Sequence, residues 1–350
     1  MSYKYLGCVF TSPTGMGGTL SRINSNMWSA YATLCRQYGK LGCAPALGLF
    51  LDLFSMCVVP TACYGCEVWS FLALPTPEQK LRNKVRLSQV RMLREIVGVR
   101  STVSTAILFR ELQVSPLDHV WWSQAVRFWE DVRRLPSDHV YYQVLQDNCR
   151  DAIARGVRNW AYGFFTGLRR IGYPLTIRCD SLTSVDPSTV RSLIQRLADS
   201  VWQDLGVCPR TCPSSGAQLC TYLRWFARPA CLPHKTSVLR LPLGLRRLRL
   251  FLRFRMGCHD LPSDAGRRQG VPRLQRVCPW CSLGEVGDER HLVFTCPALE
   301  HIRSRYCHLF GPRTFTMVQF LWQEDMISVA RFVTDCFDFL RSAGSPSNQP

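Results

Sequence analysis

The segment RVCPWCSLGEVGDERHLVFTCPAL places Cys278 and Cys281 as C-x2-C, then nine residues, then His291 and Cys296 as H-x4-C. Two close thiolates on a tight turn, an imidazole, and a third thiolate about one helical turn later supply the soft and borderline ligands that tetrahedral Zn²⁺ prefers. Gly284 and Gly287 allow the intervening loop to reverse. Four protein ligands leave no open position for water, so the spacing predicts a structural rather than hydrolytic zinc site. Free core thiols are the competing reading. A redox role for Cys278 and Cys281 has no βαβ pattern around it and leaves His291 and Cys296 unused. A second C-x2-C, Cys63 and Cys66, lies inside an apolar stretch without further ligands, and Cys208, Cys212, Cys220 and Cys231 have no histidine at matching spacing.

With 350 residues, 47% of them hydrophobic, the chain is long enough to bury a sizeable core. Its 43 Lys and Arg against 25 Asp and Glu leave a net charge of +18, which points to a polyanionic partner, RNA or DNA ahead of a membrane surface. Eighteen cysteines would suit a secreted disulfide scaffold, yet MSYKYLGCVF has neither the basic start nor the apolar core of a signal peptide. Reduced thiols and a nuclear and cytoplasmic location are therefore expected. Ala46 to Phe71 is apolar enough to suggest a membrane span but carries Asp52, Pro60 and Glu67, and is read as a buried core helix broken near Pro60.

The fold class expected is mainly α: a helical region, then a basic helical region, then a small zinc-binding module. Lys4 to Phe10 alternates as a short strand, ended by the glycine-rich run from Pro13 to Gly18. Leu20, Ile23, Met27, Tyr31 and Leu34 recur at helical spacing within 19–40, and a second apolar helix follows from Ala46. Thr76, Pro77 and Gln79 form a capping box that opens a helix reaching about Val97. Its Lys80, Lys84, Arg91 and Arg94 make one face a candidate nucleic-acid surface, against the plainer reading of a solvated helix face. Amphipathic helices are expected around 118–134, 139–168 and 187–204, with Trp121, Trp122, Phe128 and Trp129 in the core. The stretch 236–256 is the most cationic: burying Leu245, Leu248 and Leu252 would aim Arg246, Arg249 and Arg253 outward in a row suited to a phosphate backbone. Trp280 and Phe294 are candidates for base stacking or, more commonly, for packing around the metal.

Several of these pieces resemble, in order, the region that follows the polymerase palm in non-LTR (LINE-type) retrotransposon reverse transcriptases. KYLGCVF is similar to the primer-grip strand, YGCEVW at Tyr64 to Trp69 to the start of the thumb, and RMLREIVGVRSTVS at Arg91 to Ser104 to the helix and turn that follow. FRMGCHDLPSDAGR and the Cys/His motif resemble the end of such a polyprotein. The resemblance implies the end of a palm-like strand region at 1–18 and a thumb-like helical region at 19–205, and the Gly, Pro, Ser and Cys cluster from Gly206 to Gly216 marks a linker at 206–235. Beyond these come basic helices at 236–274, the zinc module at 275–300, C-terminal helices at 301–341 and a disordered tail at 342–350. It also implies a chain that grips template, primer or element RNA, as single strands or RNA/DNA hybrid, beside an upstream polymerase segment. The alternative is a degenerate or domesticated fragment whose zinc module mediates protein interaction. The family's paired catalytic aspartates are missing, since no two aspartates are adjacent anywhere in the chain. Mg²⁺ would be required only with an upstream palm. Primer extension on RNA and DNA templates with Mg²⁺ or Mn²⁺ should accordingly show no nucleotide addition by the purified chain; addition that survives purification refutes this.

Overall fold

The computed structural model describes residues 2–5, 8–11, 17–40, 46–67, 69, 84–174, 182–194, 196, 221–226, 238–311 and 316–344. The structure is mainly helical, as the apolar periodicity predicts. Two compact units each gather three stretches of chain: Met1–Gln37, Leu53–Met92 and Val114–Asp204 in the first, and Tyr38–Asp52, Leu93–Gln113 and Leu205–Pro350 in the second. No helix among the described residues is long and apolar enough to cross a membrane. Thr76, Lys80 and the cysteines at 208, 212, 220 and 231 lie outside the described residues, as do the linker apart from 221–226 and the tail beyond 344.

Strands β1 (Ser2–Tyr5) and β2 (Cys8–Thr11) pair antiparallel, Tyr3 opposite Phe10 and Lys4 opposite Val9, so the single strand expected from the sequence is a hairpin. Helix α1 is Gly17–Gly39. Helix α2 (Leu47–Leu53) passes through a π turn at Phe54–Val58 into α3 (Val59–Cys63). Pro60 therefore does not break the helix. It follows directly on the π turn, whose wider backbone leaves room for the ring and takes up the register change that a missing N–H imposes.

In the first unit, α6 (Leu117–Arg133) carries the core on one face. Trp121 and Trp129 are fully buried, Trp129 stacks on Phe164 with ring centroids 4.9 Å apart, and Phe128 is half-buried against the same cluster. Buried indoles must place their N–H groups. Trp121 donates to the Ala62 carbonyl (3.0 Å), which ties α6 to α3, and Trp69, whose ring meets that of Trp121 edge-on at 5.1 Å, donates to the Tyr64 carbonyl (2.9 Å). The start of α6 is held by buried Gln89, which accepts from the Leu117 N–H (3.1 Å) and donates to the Ser115 carbonyl (3.0 Å). Where the sequence predicts one helix over 139–168, there are two, α7 (Val140–Ala154) and α8 (Trp160–Arg170). Gly156, at φ +64°, reverses the chain between them, and Asn159 caps α8 by accepting from the Tyr162 N–H (3.0 Å). The next helix is described over 187–194 and at 196, and the rest of the expected 187–204 lies outside the described residues.

The second unit centres on α9 (Leu245–Arg255), which packs along α10 (Met326–Ser342). Phe251, Phe254, Phe320 and Phe332 are fully buried there. Among them Arg255, 1% exposed, is gripped by Glu111 of α5 (Thr105–Leu112) through two hydrogen bonds of 2.7 and 2.9 Å. Tyr222 donates to the same carboxylate (2.5 Å), and burial, with Glu111 beside it, raises that phenol well above its usual range.

Helix packing also sets one steric limit. A Cβ at Gly167 of α8 would stand 2.4 Å from the Trp122 ring. Overpacking of this kind costs about 1–3 kcal/mol, so Gly167→Ala should lower the unfolding free energy by that amount, read as a lower midpoint in chemical unfolding. An unchanged midpoint would show that the indole moves freely.

Candidate metal centre

The four ligands come from two short elements. Val277 and Val286 form an antiparallel bridge, the Cys278 N–H donates to the Glu285 carbonyl (2.8 Å), and the Gly287 N–H donates to Arg276 (2.9 Å), closing a hairpin around Cys278 and Cys281. Gly284 sits at φ +66° in its tip. Gly287 is needed for a different reason: a Cβ there would meet Pro262 at 2.8 Å and the Cys278 Cα at 3.2 Å. The second element is the π turn His291–Thr295, which brings Cys296 round so that its N–H reaches the His291 carbonyl (2.9 Å). Asp288 begins the turn by accepting from the His291 N–H (3.0 Å).

The Sγ atoms of Cys278, Cys281 and Cys296 and a ring nitrogen of His291 all lie within 4.8 Å of one another. Cys278 Sγ is 3.8 Å from Cys296 Sγ, and Cys281 Sγ is 3.4 Å from His291 Nε2. Cys278, His291 and Cys296 are buried and Cys281 is half-buried. Burial pushes the Cys278 thiol up to about 12 and raises Cys296 as well. A metal ion inverts that preference by stabilising thiolates. Three thiols and an imidazole converging in a space largely closed to water fit a metal ion well.

The sequence reading missed the groups that orient this set. His291 Nδ1 faces Glu285 Oε2 (3.0 Å) and Thr295 Oγ1 (2.9 Å), leaving Nε2 toward the thiols. These two hydrogen bonds, His291 first, hold the Glu285 carboxyl below its ordinary range. A carboxylate behind a ligand histidine fixes its tautomer and raises its basicity. Arg303 donates to the Cys296 carbonyl and to Glu300. Nearby, buried His259 and Glu289 pair at 2.8 Å. The legible signal was Thr295 four residues after His291, on the same face of a helical turn.

The described basic residues singled out in the sequence differ in what they touch. Lys84 and Arg91 are exposed on α4 (Lys84–Val97). Arg94, from the same helix, turns inward to the Val103 carbonyl (2.7 Å), and burial lowers its pKa. On α9, Arg246 is exposed and pairs with Asp338 (2.8 Å), whereas Arg249 donates twice to the Ile96 carbonyl (2.9 and 2.7 Å) and Arg253 to Cys258 (3.1 Å). The expected outward row is thus a set of struts: unpaired carbonyls at the end of α4 and after α9 capture guanidinium groups that helical periodicity alone would leave in water. Phe294 packs edge-on against Phe310 and Phe320, and Trp280 donates to the Gly344 carbonyl (3.0 Å).

Comparison with family models, curated proteins and solved structures finds no match for this chain. The centre therefore stands on its geometry. Cys281→Ser should remove the bound metal in elemental analysis and open the chain to protease within the hairpin, near 275–290, with helical circular dichroism nearly retained. Glu285→Gln should keep the fold but weaken metal affinity about 10- to 100-fold in chelator competition. Full metal occupancy in Cys281→Ser would refute the assignment.

Proposed function

We propose that this chain is a nucleic-acid-binding region of the kind found at the C-terminal end of non-LTR retrotransposon reverse transcriptases, stabilised by one structural Zn²⁺. The observation that carries the reading is the convergence of Cys278, Cys281, His291 and Cys296 in a chain of net charge +18. Zn–S bonds of about 2.3 Å at a tetrahedral angle separate two sulfurs by about 3.8 Å, and Cys278 and Cys296 stand at 3.8 Å. Two segments of the resemblance also meet: the Ser263 N–H of FRMGCHDLPSDAGR donates to the Gly287 carbonyl (3.1 Å) of the metal hairpin. That zinc supplies rigidity, not chemistry, because protein ligands fill its coordination.

On this reading, exposed Lys84 and Arg91, seven residues apart on one face of α4, contact phosphates of template, primer or element RNA. Arg249 and Arg253 hold the protein together. A second reading, a zinc-stabilised protein-interaction module, is favoured by the apolar residues left in water around the hairpin: Leu274 is 83% exposed and Leu283 51%.

Single-strand binding measured across salt separates the two. Lys84→Gln with Arg91→Gln should flatten log affinity against log salt by about 1.4, at about 0.7 per phosphate contact. An unchanged slope removes α4 from the interface, and no salt-dependent binding by the unaltered chain favours the protein-interaction reading.

A further inference from the structure

We infer that the second unit contains a built site for a single phosphate group beside the metal hairpin, formed by Arg255, Ser263, Arg267, Arg273 and Arg276. These residues line one cavity of about 50 Å³. One water needs roughly 10–15 Å³ on this measure, so the space holds several waters or one tetrahedral oxyanion. Four guanidinium groups face it against two carboxylates, Asp264 and Glu289. Both carboxylates are already committed: Asp264 to Arg100 (3.0 Å) and Arg267 (2.5 Å), Glu289 to His259 (2.8 Å).

Two donors on the wall are left over. Arg255 satisfies Nε and Nη2 on Glu111 and the Phe226 carbonyl, but its buried Nη1 has no hydrogen-bond partner. The Ser263 hydroxyl is also buried and unpartnered. Buried polar atoms are almost always satisfied, and two orphans on the wall of one small cationic cavity mark a missing acceptor. Arg276 is fixed by its bonds to the Val271 (2.8 Å) and Ser263 (3.1 Å) carbonyls, and Arg273 by Asp288 (2.9 Å), and both line the space. An arginine carries five N–H donors, so each keeps some free. Oxyanions with several acceptor oxygens suit such a set, and planar guanidinium groups favour phosphate.

If the nucleic-acid reading holds, the occupant is a backbone phosphate of the bound strand; a free phosphate or phosphomonoester presents the same chemistry. The test uses the full metal-loaded chain and inorganic phosphate. Thermal unfolding and calorimetric titration in phosphate, against chloride at matched ionic strength, should show saturable binding and a rise in Tm. Arg267→Gln with Arg273→Gln should weaken phosphate binding about tenfold or more. Ser263→Ala, which removes a hydroxyl that bonds nothing, should weaken it several-fold in a chain that still folds. Identical behaviour in phosphate and chloride overturns the site, as does unaltered affinity in Ser263→Ala and the double variant. Displacement of a single-stranded oligonucleotide by phosphate identifies a backbone phosphate as occupant; phosphate binding without displacement identifies the free anion. An oligonucleotide that does not bind at all counts against the nucleic-acid reading alone, because the phosphate titration does not involve it.

Discussion

Arg255 is a full charge inside an aromatic core, and much of the second unit is arranged to make that tolerable. Glu111 meets it with both oxygens, Tyr222 reinforces the carboxylate, and the Trp322 ring lies 4.9 Å from the guanidinium. A buried pair of this kind adds little net stability over an apolar substitute, but losing one partner costs about 3–5 kcal/mol. Its value lies in specification. Leucines can slide along one another; a bidentate pair sets one register between α5 and α9. Arg100 extends the same logic nearby, reaching the His259 carbonyl (3.0 Å), Asp260 (3.2 Å) and Asp264 (3.0 Å) from the turn after α4.

The metal hairpin is secured unequally. After His291 the chain contributes Leu292, Val293, Leu299 and Ile302, all buried, and Phe294 joins the aromatic cluster. Before it, Val277 and Leu283 are largely in water. Hydrophobic burial orders the half after His291; a metal ion at the four side chains would act mainly on the hairpin of Cys278 and Cys281, which has little else to offset its conformational entropy.

How far the sequence could be read depends on whether a residue's role is local or distant. Helical periodicity located α1, α6 and α9, and the spacing of Cys278, Cys281, His291 and Cys296 located the metal set, because neighbours in sequence are neighbours in those structures. Pro60 misled because a π turn, invisible to periodicity, accommodates it. The division of α7 from α8 hinged on Gly156 adopting positive φ, which a tolerated helix glycine need not do. Arg249 and Arg255 were the hardest: both sit on a cationic stretch, yet their partners, Ile96 and Glu111, are 153 and 144 residues away. No local pattern distinguishes an arginine bound for solvent from one bound for a buried carboxylate.

Those 144 residues also have a meaning in time. Ribosomes add about 5–20 residues per second, so Glu111 leaves the exit tunnel roughly 7–30 s before Arg255 does. Until then α5 carries a carboxylate whose final burial has no counter-charge, and desolvating it alone is prohibitively costly. The nascent second unit therefore has a built-in reason to stay open, with Leu108 and Leu112 awaiting their core, while α6 to α8 of the first unit lie entirely in the stretch synthesised in between. Order of completion is written into the placement of one charge pair.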